Sequence, residues 1–219
     1  QDAGIVDWEA AWKRLRNFAE DEGTRKLLVE WLPTLMSALY DAATPDMALI
    51  CFERYVQAAP NREVLFRYFR ANPRAIEILI RIVVNSQFLA EILISNPDYL
   101  PRIARYQQLA ELKSREQFFE EAQAAIVGLT DEDLQLDALR RLQRWELLRI
   151  GACDSYGLIN LRAVTVQLSL LTDAMVQACL AIAAERTGTD PQGFCVLAMG
   201  KLGGEELNYS SDIDLIFLA

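Results

Sequence analysis

The stretch of sequence that decides the fold of the carboxyl-terminal part is FCVLAMGKLGGEELNYSSDIDLIFL, residues 194–218. It begins with a continuous apolar run, 194–199, which is typical of a short buried strand. A glycine-rich turn and a short helix are predicted next, and residues 210–218 are predicted to form a second strand. This strand–turn–helix–strand order predicts the start of an α/β domain.

Two carboxylates lie near the start of the predicted second strand, on Asp212 and Asp214. Because side chains alternate along a strand, the two would share a face, with Cα atoms about 7 Å apart. Neighbouring carboxylates repel each other and are costly to bury without cations. Mg²⁺ suits them, since it prefers oxygen ligands and completes its shell with water and substrate phosphate. The spacing therefore predicts a one- or two-metal site for phosphoryl or nucleotidyl transfer.

The same stretch holds glycines, hydroxyls and a lysine that are suited to nucleotide phosphates. Backbone N–H groups of a glycine turn at a helix N-terminus can hold a phosphate, and glycines also allow a close backbone approach. The turn is neither a Walker A loop nor a GxGxxG dinucleotide motif, because the spacing of both is absent. The candidate phosphate-binding residues are Gly200, Lys201, Gly203, Gly204, Ser210 and Ser211.

The rest of the chain is predicted to be helical. Apolar residues recur at helical spacing, and glycine is absent between Gly23 and Gly128. The predicted helix starts are Thr44-Pro45, Asn61, Asn72-Pro73, Ser86, Asn96-Pro97, Ser114 and Thr130-Asp131. Pro33 is predicted to kink or divide the helix that contains it. The fold class is therefore mainly α, a multi-helix bundle followed by the strand–turn–helix–strand unit.

Composition narrows the function classes. The net charge of −9 argues against a dedicated nucleic-acid binder, and the absence of histidine excludes His-dependent catalysis and His-ligated zinc. The four cysteines show no CxxC spacing, so we expect buried free thiols in a reducing cytosol. The apolar run 164–183 contains Gln167 and Asp173 and is predicted to be a buried helix, with no membrane span or signal peptide.

A cluster of charged residues lies on one predicted helix, at Arg141, Arg144, Glu146 and Arg149. We interpret it as a solvated face with ion pairs between successive turns. The alternative is that one or two of these arginines bind the neighbouring domain or a phosphate.

The motif GKLGGxELNxSSDIDL, residues 200–215, closely resembles the signature of the bifunctional glutamine synthetase adenylyltransferase/adenylyl-removing enzymes. These belong to the polymerase-beta-type nucleotidyltransferases. The helical part is also similar, notably over 144–150. The resemblance implies a helical domain at 1–158 and the N-terminal, incomplete part of a nucleotidyltransferase domain at 159–219.

The resemblance also implies an activity. Members of the family attach AMP from ATP to a tyrosine of glutamine synthetase in one domain and remove it by phosphorolysis, giving ADP, in another. PII signal proteins and glutamine set the balance. On this sequence Asp212 and Asp214 would be the catalytic ligands of Mg²⁺, and Gly200 with Ser211 or its neighbours would hold the phosphates of ATP or ADP.

Several alternatives remain at this point. The chain begins with Gln1 and stops within an apolar run, so we expect a piece of a longer protein that lacks a third metal-binding carboxylate and is inactive or nearly so by itself. The motif favours the adenylyl-removing copy, whereas the helices resemble equally those of the attaching copy. Two further alternatives remain. The chain could belong to another polymerase-beta-type nucleotidyltransferase, or it could be a helical protein-interaction module.

Overall fold

The computed structural model describes residues 4–18, 21–105 and 109–218, and within these ranges the protein is mainly α. A two-stranded antiparallel sheet at the carboxyl end is the only sheet in the described part. The helices are α1 (Trp8–Asn17), α2 (Glu22–Tyr40), α3 (Pro45–Ala58), α4 (Arg62–Ala71), α5 (Pro73–Asn85), α6 (Gln87–Ser95), a 3₁₀ turn (Pro97–Tyr99), α7 (Leu100–Ile103), α8 (Arg115–Ile126), α9 (Glu132–Ser155), α10 (Leu161–Thr187) and α11 (Gly200–Gly203). The strands are β1 (Cys195–Ala198) and β2 (Leu215–Leu218).

The chain divides into two compact units, Gln1–Tyr106 and Gln107–Ala219. In the second unit α8, α9 and α10 pack against one another, and α10 also supports the sheet region. The boundary predicted at 158/159 concerns where a catalytic domain begins. The division into compact units does not test it, so it stays a prediction.

The first unit is organised around an aromatic cluster. Trp31 of α2 is buried among Phe52, Phe66 and Phe69, and its ring centroid lies 4.9 Å from that of Phe66 in an edge-on arrangement. Each such pair adds about 0.5–1.5 kcal/mol beyond the burial of its area. Pro33 lies inside a continuous α2, so it does not divide the helix, while the alternative of a kink stays a prediction. Leu28 and Trp31 before Pro33 and Leu35 and Leu39 after it are all buried, so both halves of α2 lie in the core.

Most helix starts agree with their sequence signals. The side chains of Asn61, Ser86, Ser114 and Asp131 each accept a hydrogen bond from the backbone N–H three residues later, at the first turns of α4, α6, α8 and α9. At Ser114 the Gln117 side chain also accepts from the Ser114 N–H, which completes a capping box. These caps satisfy backbone donors that have no partner within the helix.

Helix α10 is the central helix of the second unit. It is long and apolar enough to cross a membrane by length and composition alone, but 44% of its most apolar window is buried within the protein. Its buried residues contact Phe118 of α8 and Leu139 of α9 in one cluster, and Ile150 of α9 in a second. Helix α10 thus contributes buried residues to both apolar clusters of the second unit.

The sheet differs from its prediction in two respects. Strand β2 begins at Leu215, so Asp212 and Asp214 lie in the connection before it rather than on the strand. The predicted buried run is also exposed on alternate residues, with Leu197 44% accessible. Cys195 in this run and Cys179 of α10 are exposed, so the predicted burial of the cysteines is confirmed only for Cys51 and Cys153. The alternation arises because helices cover one face of the hairpin, while the described residues leave the other face open.

Candidate nucleotidyl-transfer site

The candidate site is the connection between β1 and β2, and two buried leucines fix it to the helices. Leu202 of α11 and Leu207 pack in a cluster with Ile150 of α9 and Val164 and Leu168 of α10. Burying a leucine side chain contributes about 1.5–3 kcal/mol. The connection is therefore anchored on the helical unit, while its polar residues remain accessible.

Gly200 and Asp214 lie against each other across the hairpin. The Met199 N–H donates to the backbone carbonyl of Asp214 at 2.9 Å, which extends the β1–β2 pairing to the start of the turn. A β-carbon added to Gly200 would lie 3.3 Å from Oδ2 of Asp214, and Gly200 has a φ of +56°. Both the space and the left-handed backbone favour glycine here. The glycine thus leaves room beside the Asp214 carboxylate.

Gly203 is required by a different contact. A β-carbon there would lie 2.4 Å from the carbonyl oxygen of Ala198 in β1, closer than any real side chain can approach. At Gly204 the nearest atom is 3.6 Å away, so the space would accept a methyl group. Of the two predicted close-approach glycines, the structure requires one.

The remaining predicted residues form a polar turn. Lys201 Nζ donates to Ser211 Oγ at 3.4 Å, and Ser211 Oγ donates to Asn208 Oδ1 at 2.7 Å. The Ser210 N–H also donates to Asn208 Oδ1, at 3.1 Å. The structure thus brings Lys201 and Ser211 together and links both serines through Asn208. Sequence reasoning did not select Asn208, although an asparagine two residues before a serine is a known turn signal.

The two carboxylates supply oxygen ligands for a cation. Asp212 and Asp214 are both exposed, and the Gly200 turn leaves open space beside Asp214 that a side chain would fill. Within the described part of the chain no group of three or more His, Cys, Asp or Glu side chains is arranged to hold a metal. Mg²⁺ commonly uses one or two protein carboxylates and completes its shell with water and phosphate. The residues present therefore fit Mg²⁺ as a partial ligand set.

Tyr209 joins the polar turn to α9, a contact that the sequence did not reveal. Its hydroxyl donates to Oδ2 of Asp154 at 3.2 Å. Burial raises the pKa of the Tyr209 phenol strongly, and the negative charge of Asp154 raises the pKa further. Tyr209 therefore remains a neutral hydrogen-bond donor at physiological pH.

The structure corrects the prediction that the charged cluster on α9 forms a solvated face. Glu146 and Arg149 are buried, and Arg149 Nε donates to Glu146 Oε2 at 2.7 Å. Arg149 also donates to Gln167 of α10 and to the backbone carbonyl of Leu109, while Lys113 donates to the second oxygen of Glu146 at 2.9 Å. Arg149 thus binds the segment before α8, whereas Arg141 and Arg144 are exposed, as predicted. The reason is that a buried carboxylate is costly unless it is paired and hydrogen-bonded, and Arg149 and Lys113 supply those partners to Glu146.

A cleft of about 780 Å³ lies between α8, α10 and the hairpin. Apolar residues of the hairpin, Val196, Ala198 and Leu215, form one wall. Arg115, which forms an ion pair with Asp173, lies on the other wall. Since side chains alternate along a strand, the backbone register places Val196 and Ala198 on the face opposite that of Leu197 and Met199.

The sequence comparisons identify the family. The family model for glutamate-ammonia ligase adenylyltransferase matches residues 76–219, which include both the helices of the second unit and the motif. The chain belongs to this family. The matched range contains both Gly200 and Asp214, and the name of the family refers to adenylyl transfer.

Curated relatives agree with this assignment. Three proteins named bifunctional glutamine synthetase adenylyltransferase/adenylyl-removing enzyme are similar to this chain. The relative from Corynebacterium glutamicum is 31% identical over 98% of the chain, that from Idiomarina loihiensis 27% over 98%, and that from Pseudomonas aeruginosa 27% over 99%. The chain spans 22–25% of the lengths of these relatives.

Proposed function

We propose that residues 194–218 form part of a nucleotidyl-transfer site that acts on the adenylylation state of glutamine synthetase. The observation that carries this proposal is the contact between Gly200 and Asp214, which leaves a carboxylate beside an open glycine turn. The names of the relatives supply the substrate class, because each couples adenylyl attachment and removal to glutamine synthetase.

The residues divide the chemical work between charge and position. Asp212 and Asp214 would hold Mg²⁺, which when bound neutralises phosphate charge in the transition state. Lys201, with its ammonium 3.4 Å from Ser211 Oγ, is suited to bind a phosphate oxygen of ATP or ADP together with that hydroxyl. The left-handed turn at Gly200 keeps side-chain atoms out of the space beside Asp214. The protein thus contributes mainly orientation and electrostatic stabilisation.

The two directions of reaction differ in the attacking group. In attachment the tyrosine hydroxyl of glutamine synthetase attacks the α-phosphorus of ATP, and pyrophosphate leaves. In removal inorganic phosphate attacks the phosphorus of the AMP–tyrosine bond, which forms ADP and releases the tyrosine. We propose that this copy performs removal, because MGK at 199–201 and ELN at 206–208, followed by DID at 212–214, resemble the adenylyl-removing copy more closely.

The cellular location and the partners of this activity are also proposals. We propose a cytoplasmic enzyme that responds to a PII signal protein and has no nucleic-acid or membrane partner. Because these 219 residues supply two carboxylates where the resemblance implies a third, we expect the chain by itself to be inactive or nearly so.

The test replaces Asp212 and Asp214 by Asn in the natural protein that contains this chain. AMP attachment to glutamine synthetase and phosphate-dependent AMP removal are assayed separately. Because a metal contributes several kcal/mol to such a transition state, we expect removal to fall by orders of magnitude while attachment persists. Asp137→Asn on the exposed face of α9 is the matched control and should change neither rate.

Each other outcome has a definite meaning. Loss of attachment with intact removal assigns the site to the attaching copy and overturns the proposed direction. Unchanged rates in both assays show that these carboxylates are not the metal site and overturn the proposal.

A further inference from the structure

The connection that carries the two carboxylates is tied to α9 by a side-chain hydrogen bond. Tyr209 immediately precedes the Ser210-Ser211 pair, and its hydroxyl donates to Asp154 Oδ2 at 3.2 Å. Tyr209 is also half-buried against the apolar cluster below the motif. The tyrosine therefore joins the polar turn to the last turn of a long helix.

Asp154 is placed where helix stability disfavours it. It lies one residue before the end of α9, in a last turn that contains no basic residue. The partial negative charge at a helix C-terminus repels a carboxylate there. A stabilising role within α9 therefore does not account for this aspartate, whereas the contact with Tyr209 does.

Two further contacts fix the chain on either side of the polar turn. The Leu207 N–H donates to the buried hydroxyl of Ser169 on α10 at 3.3 Å. Leu207 and Ser169 fix the chain before the polar turn, and the Met199–Asp214 backbone bond fixes it after. Between these points the side chain of Tyr209 reaches α9, so it sets the path of the chain toward Asp212.

We propose that Asp154 is a positioning residue which, through Tyr209, holds the polar turn so that Asp212 and Asp214 present their carboxylates together. This inference rests on the proposed function for the role of the two carboxylates. Asp154 itself touches neither substrate nor metal in this proposal. Its effect is on the position of residues 208–214.

The first measurement is amide hydrogen exchange in the natural protein that contains this chain. Asp154→Ala and Tyr209→Phe each remove the hydrogen bond, and Asp154→Asn retains an acceptor oxygen. We expect the first two variants to raise exchange in the peptide 208–214 by about tenfold or more, since that peptide loses its contact with α9. Asp154→Asn and the control Asp137→Ala should leave this peptide unchanged.

The second measurement is the Mg²⁺ concentration that gives half-maximal rate, with glutamine synthetase or its adenylylated form as substrate. We expect Asp154→Ala and Tyr209→Phe to raise it by about tenfold, as loss of a supporting contact does at other metal sites. Asp154→Asn should restore it. A role limited to stability would lower the melting temperature and leave this concentration unchanged.

The two proposals fail separately. Unchanged exchange and unchanged Mg²⁺ dependence in both Asp154→Ala and Tyr209→Phe, alongside an Asp212→Asn variant that has lost AMP removal, overturn the positioning role alone. An Asp212→Asn variant with unchanged rates of both AMP attachment and AMP removal overturns the proposed function. In that case raised exchange at 208–214 still reports the structural contact but no longer supports positioning of metal ligands.

Discussion

The Asp214 carboxylate lies 3.3 Å from the point that a β-carbon on Gly200 would occupy. The two residues are brought together by pairing of β1 with β2, which continues through the Met199–Asp214 backbone hydrogen bond. A glycine and a carboxylate fourteen positions apart thus share one small space. Replacing Gly200 would therefore have two effects: strain in a left-handed backbone and a close contact with the Asp214 carboxylate.

Replacing Gly200 by alanine should separate these two effects. Gly200 and Gly128 both have positive φ, +56° and +78°, but a β-carbon at Gly128 meets no atom within 4 Å. Each alanine should lower the free energy of unfolding by about 1–2 kcal/mol through left-handed backbone strain. Only Gly200→Ala should also lower the catalytic rate, because its methyl group would crowd the Asp214 carboxylate and shift it by a few tenths of an ångström. Denaturant unfolding and both adenylyl assays check this, and equal activity of the two variants would contradict it.

The adjacent glycines Gly203 and Gly204 should respond differently to the same substitution. Gly203→Ala places a methyl group 2.4 Å from the Ala198 carbonyl oxygen, which forces α11 away from β1. We expect destabilisation of about 1–3 kcal/mol, as for an overpacked contact. Gly204 has a φ of −88° and free space, so Gly204→Ala should change stability by less than about 1 kcal/mol. Thermal unfolding of the pair measures the difference, and similar melting temperatures would refute the close approach.

The buried ion pair on α9 should tolerate paired replacement better than single replacement. Glu146→Leu leaves Arg149 buried without its carboxylate, which should lower the free energy of unfolding by about 3–5 kcal/mol. Adding Arg149→Met removes the uncompensated charge, so the double variant should be less destabilised than the sum of the single ones. The exposed pair Arg140–Asp137 is the control, and Arg140→Ala should change stability by no more than about 1 kcal/mol. Additive single effects would contradict coupling through the buried pair.

In the first unit, Asp46 should make stability depend on acid. Its carboxylate accepts hydrogen bonds from the backbone N–H groups of Val6 and Asp7, at 3.0 and 3.1 Å. These hydrogen bonds lower the pKa of Asp46 in the folded state. The stabilisation is therefore present above the unfolded pKa of about 4 and is lost as pH falls through the lower folded pKa. We expect Asp46→Asn to lower the melting temperature at pH 7 and to matter less as pH falls below about 4. A difference in melting temperature that stays constant from pH 7 to pH 2 would contradict this linkage.

Helix starts could be predicted because their signals are local. Asn61, Ser86 and Ser114 each bond to a backbone group three residues away, so sequence spacing alone contains the relevant geometry. The close approach at Gly203 was also predicted, because adjacent glycines in a short turn indicate that two backbone segments come close together. Its partner, Ala198, lies at the end of β1, and the tight turn after this strand brings Gly203 back against it.

Interactions between distant segments could not be predicted in the same way. The sequence pattern predicts a solvated face for Arg149. Its actual partners, Leu109 and Gln167, are 40 and 18 positions away, so helical spacing alone does not reveal them. The predicted strand start at 210 was wrong because the Asn208 side chain bonds to Ser210 and Ser211 and turns the chain first. The carboxylates of Asp212 and Asp214 remain predicted metal ligands, since their pattern indicates chemistry but not occupancy.

Helix α10 constrains how this family can change in length. Leu168 packs in the cluster under the motif, while Leu171, three positions later, packs in the cluster with α8 and α9. Inserting a single residue between them would rotate one contact surface by about 100° relative to the other, so both clusters could not form together. Insertions and deletions among descendants of this sequence should therefore be excluded from the middle of α10 and accumulate instead in the exposed turn 188–193.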